Sequence, residues 1–410
     1  MDQHIGARVR VARTAAGLTQ SEMAGFLSKS VRWVEDVEAG RHTLDRYSVI
    51  TAVAEVCDVD VVWLLGQPYR LRGEGGSVAH SYIPAVRAVL RRSSLILSGH
   101  PGLAPQGLPA SAEVMRSRSL AANRARQAAN LPEVASLLAT MLDDLNSAVL
   151  IWEGADREAA LRLMVDGART TRMALNQLGY PDLAWVAAEV AAGAARQLDD
   201  PMAKAAVAWD RCGALLHQAS PRDAVVVAEA ALRDLEPLTV GSAPDRSAIA
   251  LHGALVLRCA VASARARQEA DSWAQITRAL EDAGRLGPDF HDVAGQTVFG
   301  RANCAVHAAE VGVELDRPDV GLKFVPNPKV EEIPSKERRT HFMIDRARSY
   351  KLLGRAPAAV NTLRQAANYA PYYVYADPMA RALVADLTRT GVRGQESVLS
   401  TLVRNMELAR

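Results

Sequence analysis

Apolar side chains recur at three- and four-residue spacing along most of the chain, and short breaks rich in proline, glycine and aspartate separate these segments. Such spacing places the apolar residues on one face of a helix, whereas a sustained alternation of apolar and polar residues, typical of strands, is not found in the sequence. The breaks include residues 179–182, 199–201 and 287–288. The pattern therefore predicts an all-α fold.

The same pattern divides the chain into three parts. Residues 1–70 are compact and contain one proline, Pro68, near their end. Residues 111–410 are predicted to be helical almost throughout. Between them, residues 71–110 are expected to form a linker made of a flexible glycine-rich stretch at 72–77, one helix at 80–97 and a Gly/Pro-rich loop at 99–109.

The first part carries closely spaced signals for helix starts and stops. One amphipathic helix is predicted at 5–16, and Thr19 with Glu22 has the sequence of a capping box that opens a second helix. After a tight turn, Ser30 is expected to cap a third helix that Gly40 ends. Two short helices joined by a turn of this length have the geometry that places the second helix in the major groove of DNA.

The first part resembles the Cro/phage-repressor (Xre-like) helix-turn-helix family over nearly its whole length. The matching residues are Gly17, Leu18, Thr19, Gln20, Met23, Ala24, Leu27, Ser30, Val34, Val37, Glu38, Gly40 and 59–66. The resemblance implies a five-helix DNA-binding domain in which Arg13 and Glu38 form a partly buried ion pair. It implies that Gln20 bonds a phosphate and that Val31, Arg32 and Asp36 face the bases. The full set of DNA-contacting residues would be Gln20, Ser30, Val31, Arg32, Glu35, Asp36, Arg41 and Arg46.

The charge of this domain departs from what DNA binding usually requires. Residues 1–70 hold eight basic and nine acidic side chains, a net charge of −1, so a single copy should bind DNA weakly. Asp36 has three interpretations: it accepts a hydrogen bond from cytosine, it is solvated, or it pairs with Arg32. A further alternative is that the domain has lost DNA binding and mediates protein contacts only.

Residues 71–130 have the opposite balance, with eight arginines against two glutamates. The net charge of +6 allows two interpretations. These arginines contact phosphates that flank the site read by the first domain, or they form the solvated face of a helix.

Residues 340–371 resemble a tetratricopeptide repeat. The matching positions are Ala347, Tyr350, Gly354, Ala359, Ala366 and Pro371, where small residues allow close helix contact and proline ends the second helix. Weaker copies are suggested by Cys212, Ala224, Ala228, Ala231 and Pro237, by Ala264, Leu280, Ala283 and Pro288, and by Gly179, Ala184, Ala188 and Ala191. We therefore expect an α-solenoid of degenerate helix pairs.

This combination of domains resembles regulators of GC-rich bacteria and, in architecture only, the peptide-pheromone-sensing regulators of Gram-positive bacteria. Both resemblances imply a small molecule or peptide held in the concave face of the repeats. The inward offsets of the first helix in each pair give the candidate ligand contacts Arg169, Asn176, Trp209, Asp210, His217, Arg258, Arg265, Phe299, Asn303, His341, Asp345 and Arg348. Asn303 is the sharpest candidate, since an amide can bond both N–H and C=O of a peptide. The alternative is that these are ordinary solvated or interhelical residues.

Enzymatic chemistry finds little support in the sequence. The four cysteines never form a Cys-x-x-Cys pair, the nine histidines show no metal-binding spacing, and neither a phosphate-binding loop nor a nucleophile elbow is present. We expect no enzyme activity, no metal and no cofactor. Residues 1–13 lack a signal-peptide core, and no uninterrupted apolar run reaches about 18 residues, so we expect a cytoplasmic protein.

Two functions remain for the whole chain. The first is a sequence-specific transcription regulator that binds double-stranded DNA and responds to a small molecule or peptide. The alternative is a scaffold whose repeats bind partner proteins, with the helix-turn-helix as a docking module. For the regulator we expect a homodimer that reads a two-fold operator, because one half-site is too weak alone. Residues 376–408, an amphipathic end without a polar capping repeat, point to the repeats as the dimer contact.

Overall fold

All regular structure in the protein's computed structural model is helical. The structure describes residues 4–69, 74–287, 290, 296 and 298–408. These residues form 22 α-helices and one short 3-10 helix at Val330–Glu332, and they contain no strand. The predicted all-α fold is confirmed.

Five short helices form the N-terminal domain: α1 (Ile5–Ala15), α2 (Gln20–Phe26), α3 (Val31–Glu38), α4 (Tyr47–Val56) and α5 (Val61–Leu65). Their apolar faces meet in one core, whose fully buried side chains include Val9, Met23, Val34, Ile50 and Leu64. Gly6 allows α1 to lie directly on α3, because a Cβ at this position would be 1.9 Å from the carbonyl oxygen of Val37. The predicted five-helix domain is confirmed.

The segment after this domain differs from the predicted linker. It forms two helices, α6 (Glu74–Ser81) and α7 (Ile83–Leu97), while residues 72 and 73 of the expected glycine-rich stretch lie outside the described residues. Helix α7 buries Val86 and Leu90 in the core of the repeat domain. Its apolar face therefore makes it part of that domain, and the linker prediction is wrong for this helix. The Gly/Pro-rich loop follows α7 as predicted.

Fifteen further helices are formed by the described residues that follow α7. They are α8 (Ala112–Gln127), α9 (Leu131–Ile151), α10 (Gly154–Gln177), α11 (Pro181–Arg196), α12 (Pro201–His217), α13 (Pro221–Thr239), α14 (Arg246–Arg265), α15 (Glu269–Leu286), α16 (Arg301–Glu314), α17 (Pro318–Lys323), α18 (Lys336–Leu352), α19 (Ala356–Tyr369), α20 (Pro371–Ala376), α21 (Pro378–Thr390) and α22 (Glu396–Asn405). Neighbours along the chain pack against each other as antiparallel helices, most extensively α10 with α11, α14 with α15, α13 with α14, α12 with α13 and α18 with α19.

Small residues bring the helices of each pair together. The predicted packing positions Ala347, Ala359 and Ala366 of the α18–α19 pair are fully buried. Between α10 and α11 the chain turns at Gly179, whose φ of +83° favours glycine. Pro237 differs from the prediction, since it lies within the last turn of α13 rather than beyond its end.

The end of the solenoid is covered by the chain itself. Helix α22 buries Leu399, Leu402 and Val403 against α19 and α21, its C-cap residue Met406 is also buried, and its other face is polar. The expectation of an uncapped end is therefore wrong, because the amphipathic stretch acts as the capping helix. The structure of this end therefore does not support dimerisation through the last repeat.

Two helices of the repeat domain, α9 and α14, are long and apolar enough to cross a membrane. Within the fold, 56% and 89% of their apolar windows are buried against other helices. Packing inside the repeat domain accounts for their apolar character.

Candidate functional site

The helix expected to read DNA, α3, is held by caps on both helices of the motif. The Thr19 hydroxyl accepts a hydrogen bond from the backbone N–H of Glu22, whose carboxylate accepts one in return, completing the predicted capping box. At the start of α3, the Ser30 hydroxyl oxygen accepts from the N–H of Trp33 at 3.1 Å. These caps fix the start of α2 and the start of α3.

The predicted Arg13–Glu38 ion pair joins α1 to α3. Two guanidinium nitrogens of Arg13 donate to the two Glu38 carboxylate oxygens at 2.5 and 3.2 Å, and Glu38 is buried. The hydrogen bond to Glu38 raises the pKa of Arg13 although burial opposes it. Gln20, expected to contact a phosphate, donates its amide N–H to Glu38 at 2.9 Å. Glu38 therefore connects all three helices of the motif.

Replacing Glu38 by alanine is expected to destabilise the protein by about 1–3 kcal/mol, because Arg13 and Gln20 both lose their acceptor in a partly buried position. The effect is measured as a shift of the urea unfolding transition of the N-terminal domain, followed by the fluorescence of Trp33 and Trp63. Glu35→Ala on the exposed face of α3 is the matched control. Equal midpoints for the two variants would contradict the structural role of the pair.

The remaining residues of α3 present a mixed face to solvent. Arg32 has an 88% exposed side chain, and Val31 and Glu35 are also exposed. Asp36 is shared between Arg41, with Nε at 2.6 Å, and Arg32, with Nε at 3.9 Å. Of the three interpretations of Asp36, ion pairing with Arg32 is seen, and the shorter pair with Arg41 was not expected.

Arg46, one of the residues assigned to DNA, lies elsewhere. Its guanidinium is ion-paired with Asp316 of the repeat domain and its side chain is only 18% exposed. The DNA contact assigned to Arg46 is wrong for this arrangement, because the domain interface already uses its charge. Among the arginines of 71–130, Arg126 is likewise buried, where it pairs with Glu337.

The N-terminal domain docks on the repeats through the start of α4. This helix has no side-chain cap of its own, and Glu314 of α16 supplies one. The Glu314 carboxylate accepts from the N–H groups of Tyr47 and Ser48, both at 3.3 Å, and from the Ser48 hydroxyl at 3.0 Å. Arg348 of α18 adds a bond to the Asp45 carbonyl at 2.7 Å.

Inward-facing first helices of successive pairs form most of the wall of a central cavity of about 110 Å³. Helices α10, α12, α14, α16, α18, α20 and α21 line it, together with Tyr47 and Gln67 of the N-terminal domain. Eight of the twelve candidate ligand contacts lie in its wall: Asn176, Trp209, His217, Arg258, Arg265, His341, Asp345 and Arg348.

The other four candidates lie outside the wall. Arg169 and Asp210 are buried behind it, with Arg169 Nε 2.5 Å from a carboxylate oxygen of Asp210. Phe299 is fully buried against Gly253, where a Cβ would lie 2.1 Å from its ring. Asn303 is buried in α16, two turns before the lining residue Glu310. Arg169, Asp210, Phe299 and Asn303 therefore do not line this cavity, and their assignment as ligand contacts stays a prediction.

Several lining residues were missed by the sequence analysis. They include Tyr47, Gln67, Arg172, Glu310, Glu337, Arg338, Tyr373 and Asp377. The signal for Arg172 is its spacing, one helical turn after Arg169. For Tyr47 and Gln67 the sequence offers none, because they belong to the other domain.

Burial and the neighbouring charges shift the pKa values of two histidines in the wall. Burial, with Arg265, Arg172 and Arg258 nearby, lowers the pKa of His217 to about 3. Burial also disfavours the charged form of His341, but Asp345 and Glu310 raise its pKa above the usual value. The surroundings of the cavity wall thus keep His217 neutral and favour the charged form of His341.

Glu310, His341 and Asp345 are the described side chains whose grouping has metal-ligand geometry, with one ligand atom of each within 4.8 Å of the others. The two carboxylates already bond guanidinium groups, Glu310 with Arg265 at 3.2 Å and Asp345 with Arg348 at 2.7 Å. Since these arginines compensate the negative charge that would attract a cation, the arrangement favours an ion-pair network.

Residues 4–62 match the family model described as a helix-turn-helix domain. No curated protein sequence matches the chain. A crystal structure of PlcR from Bacillus thuringiensis, in complex with the peptide PapR7 and DNA, is similar over 87% of this chain and 99% of that chain, with 10% sequence identity and a TM-score of 0.34. The N-terminal domain is therefore a helix-turn-helix domain, and the structure of this chain joins it to α-helical repeats.

Proposed function

We propose that the protein is a DNA-binding transcription regulator whose repeats hold an effector in the central cavity. The reading surface would be the exposed face of α3, with Arg32 as its base-contacting arginine. The effector would be a small molecule or the end of a peptide. The regulator would act in the cytoplasm, where its operator is accessible.

Tyr47 carries this proposal, because it belongs to the helix-turn-helix domain and also forms part of the cavity wall. Its ring lies under the Arg265 guanidinium at 4.5 Å and contacts the His217 ring edge-on at 5.9 Å. Its backbone N–H is one of the groups capped by Glu314. A ligand that moves Tyr47, Arg265 or His217 would therefore change the docking of α4, and with it the orientation of α3.

We also infer that the regulator binds a two-fold operator as a homodimer. A domain with net charge −1 that reads a few base pairs gives little affinity or selectivity alone, and a second tethered copy multiplies both. Footprints of two half-sites separated by about one helical turn, roughly 34–36 Å, are expected. A monomer by light scattering together with a single protected half-site would refute this arrangement.

A gel-shift titration with DNA from upstream of the protein's own gene tests the proposal. Arg32→Ala is expected to cost about 1–3 kcal/mol at one base position and to relax the preference there, because the exposed guanidinium reads a base edge. Gln20→Ala should weaken all sequences about equally, because it acts through positioning. Arg364→Ala, an exposed arginine of the repeats, is the control and should change neither.

If Arg32→Ala has the same base preference as the parent protein, α3 does not read bases through Arg32. Absence of sequence-specific binding by the parent protein would instead favour the scaffold, in which the helix-turn-helix serves as a docking module.

A further inference from the structure

Three arginines surround one tryptophan in the cavity wall. The guanidinium carbons of Arg258, Arg172 and Arg338 lie 4.1, 5.3 and 5.9 Å from the ring centroid of Trp209. All four residues line the cavity. Trp209 and Arg172 are buried and Arg258 and Arg338 are half-buried, so these cationic groups gather in one largely shielded part of the cavity wall.

Gly213 permits this gathering. A Cβ at Gly213 would lie 2.8 Å from one terminal nitrogen of Arg172 and 3.3 Å from one of Arg258. Two guanidinium groups therefore approach the same point, where any other residue would displace them. Like charges placed this close repel each other in a buried site unless an anion lies between them.

The nearest carboxylate does not compensate all of this charge. Asp210 is shared by Arg172, with Nε at 2.7 Å, and by Arg169. Within the described residues, Arg258 has neither a hydrogen bond nor an ion pair, and its Nε is buried without a partner. Burial, with Arg338 and Arg172 nearby, lowers the pKa of Arg258 to about 9.

The other carboxylates of the wall are already engaged. The contacts are Glu310 with Arg265, Asp345 with Arg348, Glu337 with Arg126, and Asp377 with the N–H of Ala380 as the cap of α21. Within the residues the structure describes, the half-buried side chain of Arg338 makes no hydrogen bond or ion pair and contacts the Trp209 ring. Arg258 and Arg338 are therefore the cations of the wall that no described carboxylate compensates.

A neutral group in the wall shows the same lack of a partner. Asn176 is nine-tenths buried, and among the described residues neither the oxygen nor the nitrogen of its side-chain amide has a hydrogen-bond partner. Buried amides of this kind are normally satisfied by protein, water or ligand. Asn176 thus offers a donor and an acceptor to a molecule in the cavity.

We infer that the cavity binds an anionic group, a carboxylate or a phosphate, between Arg258 and Arg338 beside Trp209, with Asn176 as an additional hydrogen-bonding residue. This inference rests on the proposed effector function and names the chemical class of the effector. Charge-assisted bonds to the anion supply the compensation that the protein itself leaves out. The cavity of about 110 Å³ suits a small anion or the acidic end of a longer molecule.

Thermal unfolding and calorimetric titration of the full chain test the inference with two probes, inorganic phosphate and malonate. Sodium chloride at equal ionic strength is the reference. We expect at least one probe to raise the Tm saturably at millimolar concentration, and the two probes distinguish a phosphate from a carboxylate preference. Arg258→Gln should weaken that binding at least about tenfold, Asn176→Ala less, and Arg364→Gln not at all.

The Tm of the Arg258→Gln variant without ligand gives a second readout, because an arginine that merely stabilises the fold would lower the Tm when it is replaced. Arg258→Gln removes an uncompensated charge, so its Tm without probe should be higher than that of the parent protein. No saturable stabilisation by either probe, or unchanged binding in Arg258→Gln, would overturn the inference. Anion binding that leaves the gel-shift titration unchanged would preserve the anion site and contradict its effector role. Operator binding that responds only to a neutral compound would support the effector function and contradict the anion site.

Discussion

Replacing Asp210 by alanine is expected to destabilise the repeat domain by about 3–5 kcal/mol, the largest effect foreseen for a single substitution. Asp210 is fully buried and both of its oxygens accept from guanidinium groups, one from Arg169 at 2.5 Å and one from Arg172 at 2.7 Å. Alanine removes the carboxylate shared by two buried cations and leaves a cavity beside them. Urea unfolding followed by circular dichroism measures the loss.

Asp199→Ala is the matched control for this substitution. Asp199 forms a pair with Lys204 at 3.6 Å, but its side chain is fully exposed. Solvent screens such a pair, so no measurable shift of the unfolding midpoint is expected. A midpoint for Asp210→Ala equal to that of the control would show that the two arginines find other compensation, and the account of the buried triad would fail.

The pH dependence of this effect has a definite sign. Burial raises the pKa of Asp210, but Arg172 and Arg169 outweigh it and hold the pKa below the usual value. A carboxylate with a lowered pKa stabilises the fold above its unfolded-state pKa, and this contribution is lost as the pH falls through the folded-state pKa. The stability difference between the parent protein and Asp210→Ala should therefore shrink in acid.

The features of the fold that the sequence predicts correctly are local ones. The capping box of Thr19 and Glu22 and the cap at Ser30 each depend on residues three apart in the chain. The alanines of α18 and α19 are spaced by the helical repeat. Such signals are read directly from the chain because the partner is one helical turn away.

Longer-range features were predicted less well. Arg169 and Arg258 both occupy inward offsets of first helices, yet Asp210 compensates Arg169, while Arg258 faces the cavity without a carboxylate. Spacing alone does not distinguish them, because the difference depends on a residue of another helix. Asn303 also occupies an inward offset, on the same face of α16 as the lining residue Glu310 and two turns before it, and spacing does not show how far along a helix the cavity extends.

The docking of the two domains had no signal in the sequence at all. Tyr47 and Glu314 are separated by 267 residues, and each has an ordinary role in its own helix. Their contact is a property of two surfaces, one from the helix-turn-helix domain and one from the repeats. This interface is where the proposed regulation is best tested.

Glu314→Ala is expected to release the start of α4 from the repeat domain. The carboxylate is almost fully buried and caps the N–H groups of Tyr47 and Ser48, for which α4 has no side-chain cap of its own. Losing this acceptor should cost about 1–3 kcal/mol locally, and the two amides should exchange hydrogen on the order of 10- to 100-fold faster. Hydrogen-exchange mass spectrometry of peptides covering 46–56 measures this change.

Asp316→Ala separates this effect from a general loosening of the interface. Asp316 is two residues further along, is half exposed, and pairs with Arg46 and Arg267 rather than with backbone N–H groups. Its removal should leave the exchange of Tyr47 and Ser48 close to that of the parent protein. If the cavity acts on DNA binding through α4, Glu314→Ala should also reduce the effect of a cavity ligand on operator affinity, whereas Asp316→Ala should retain it. Equal exchange in both variants, with ligand response intact, would place the coupling between cavity and α3 outside the Glu314 cap.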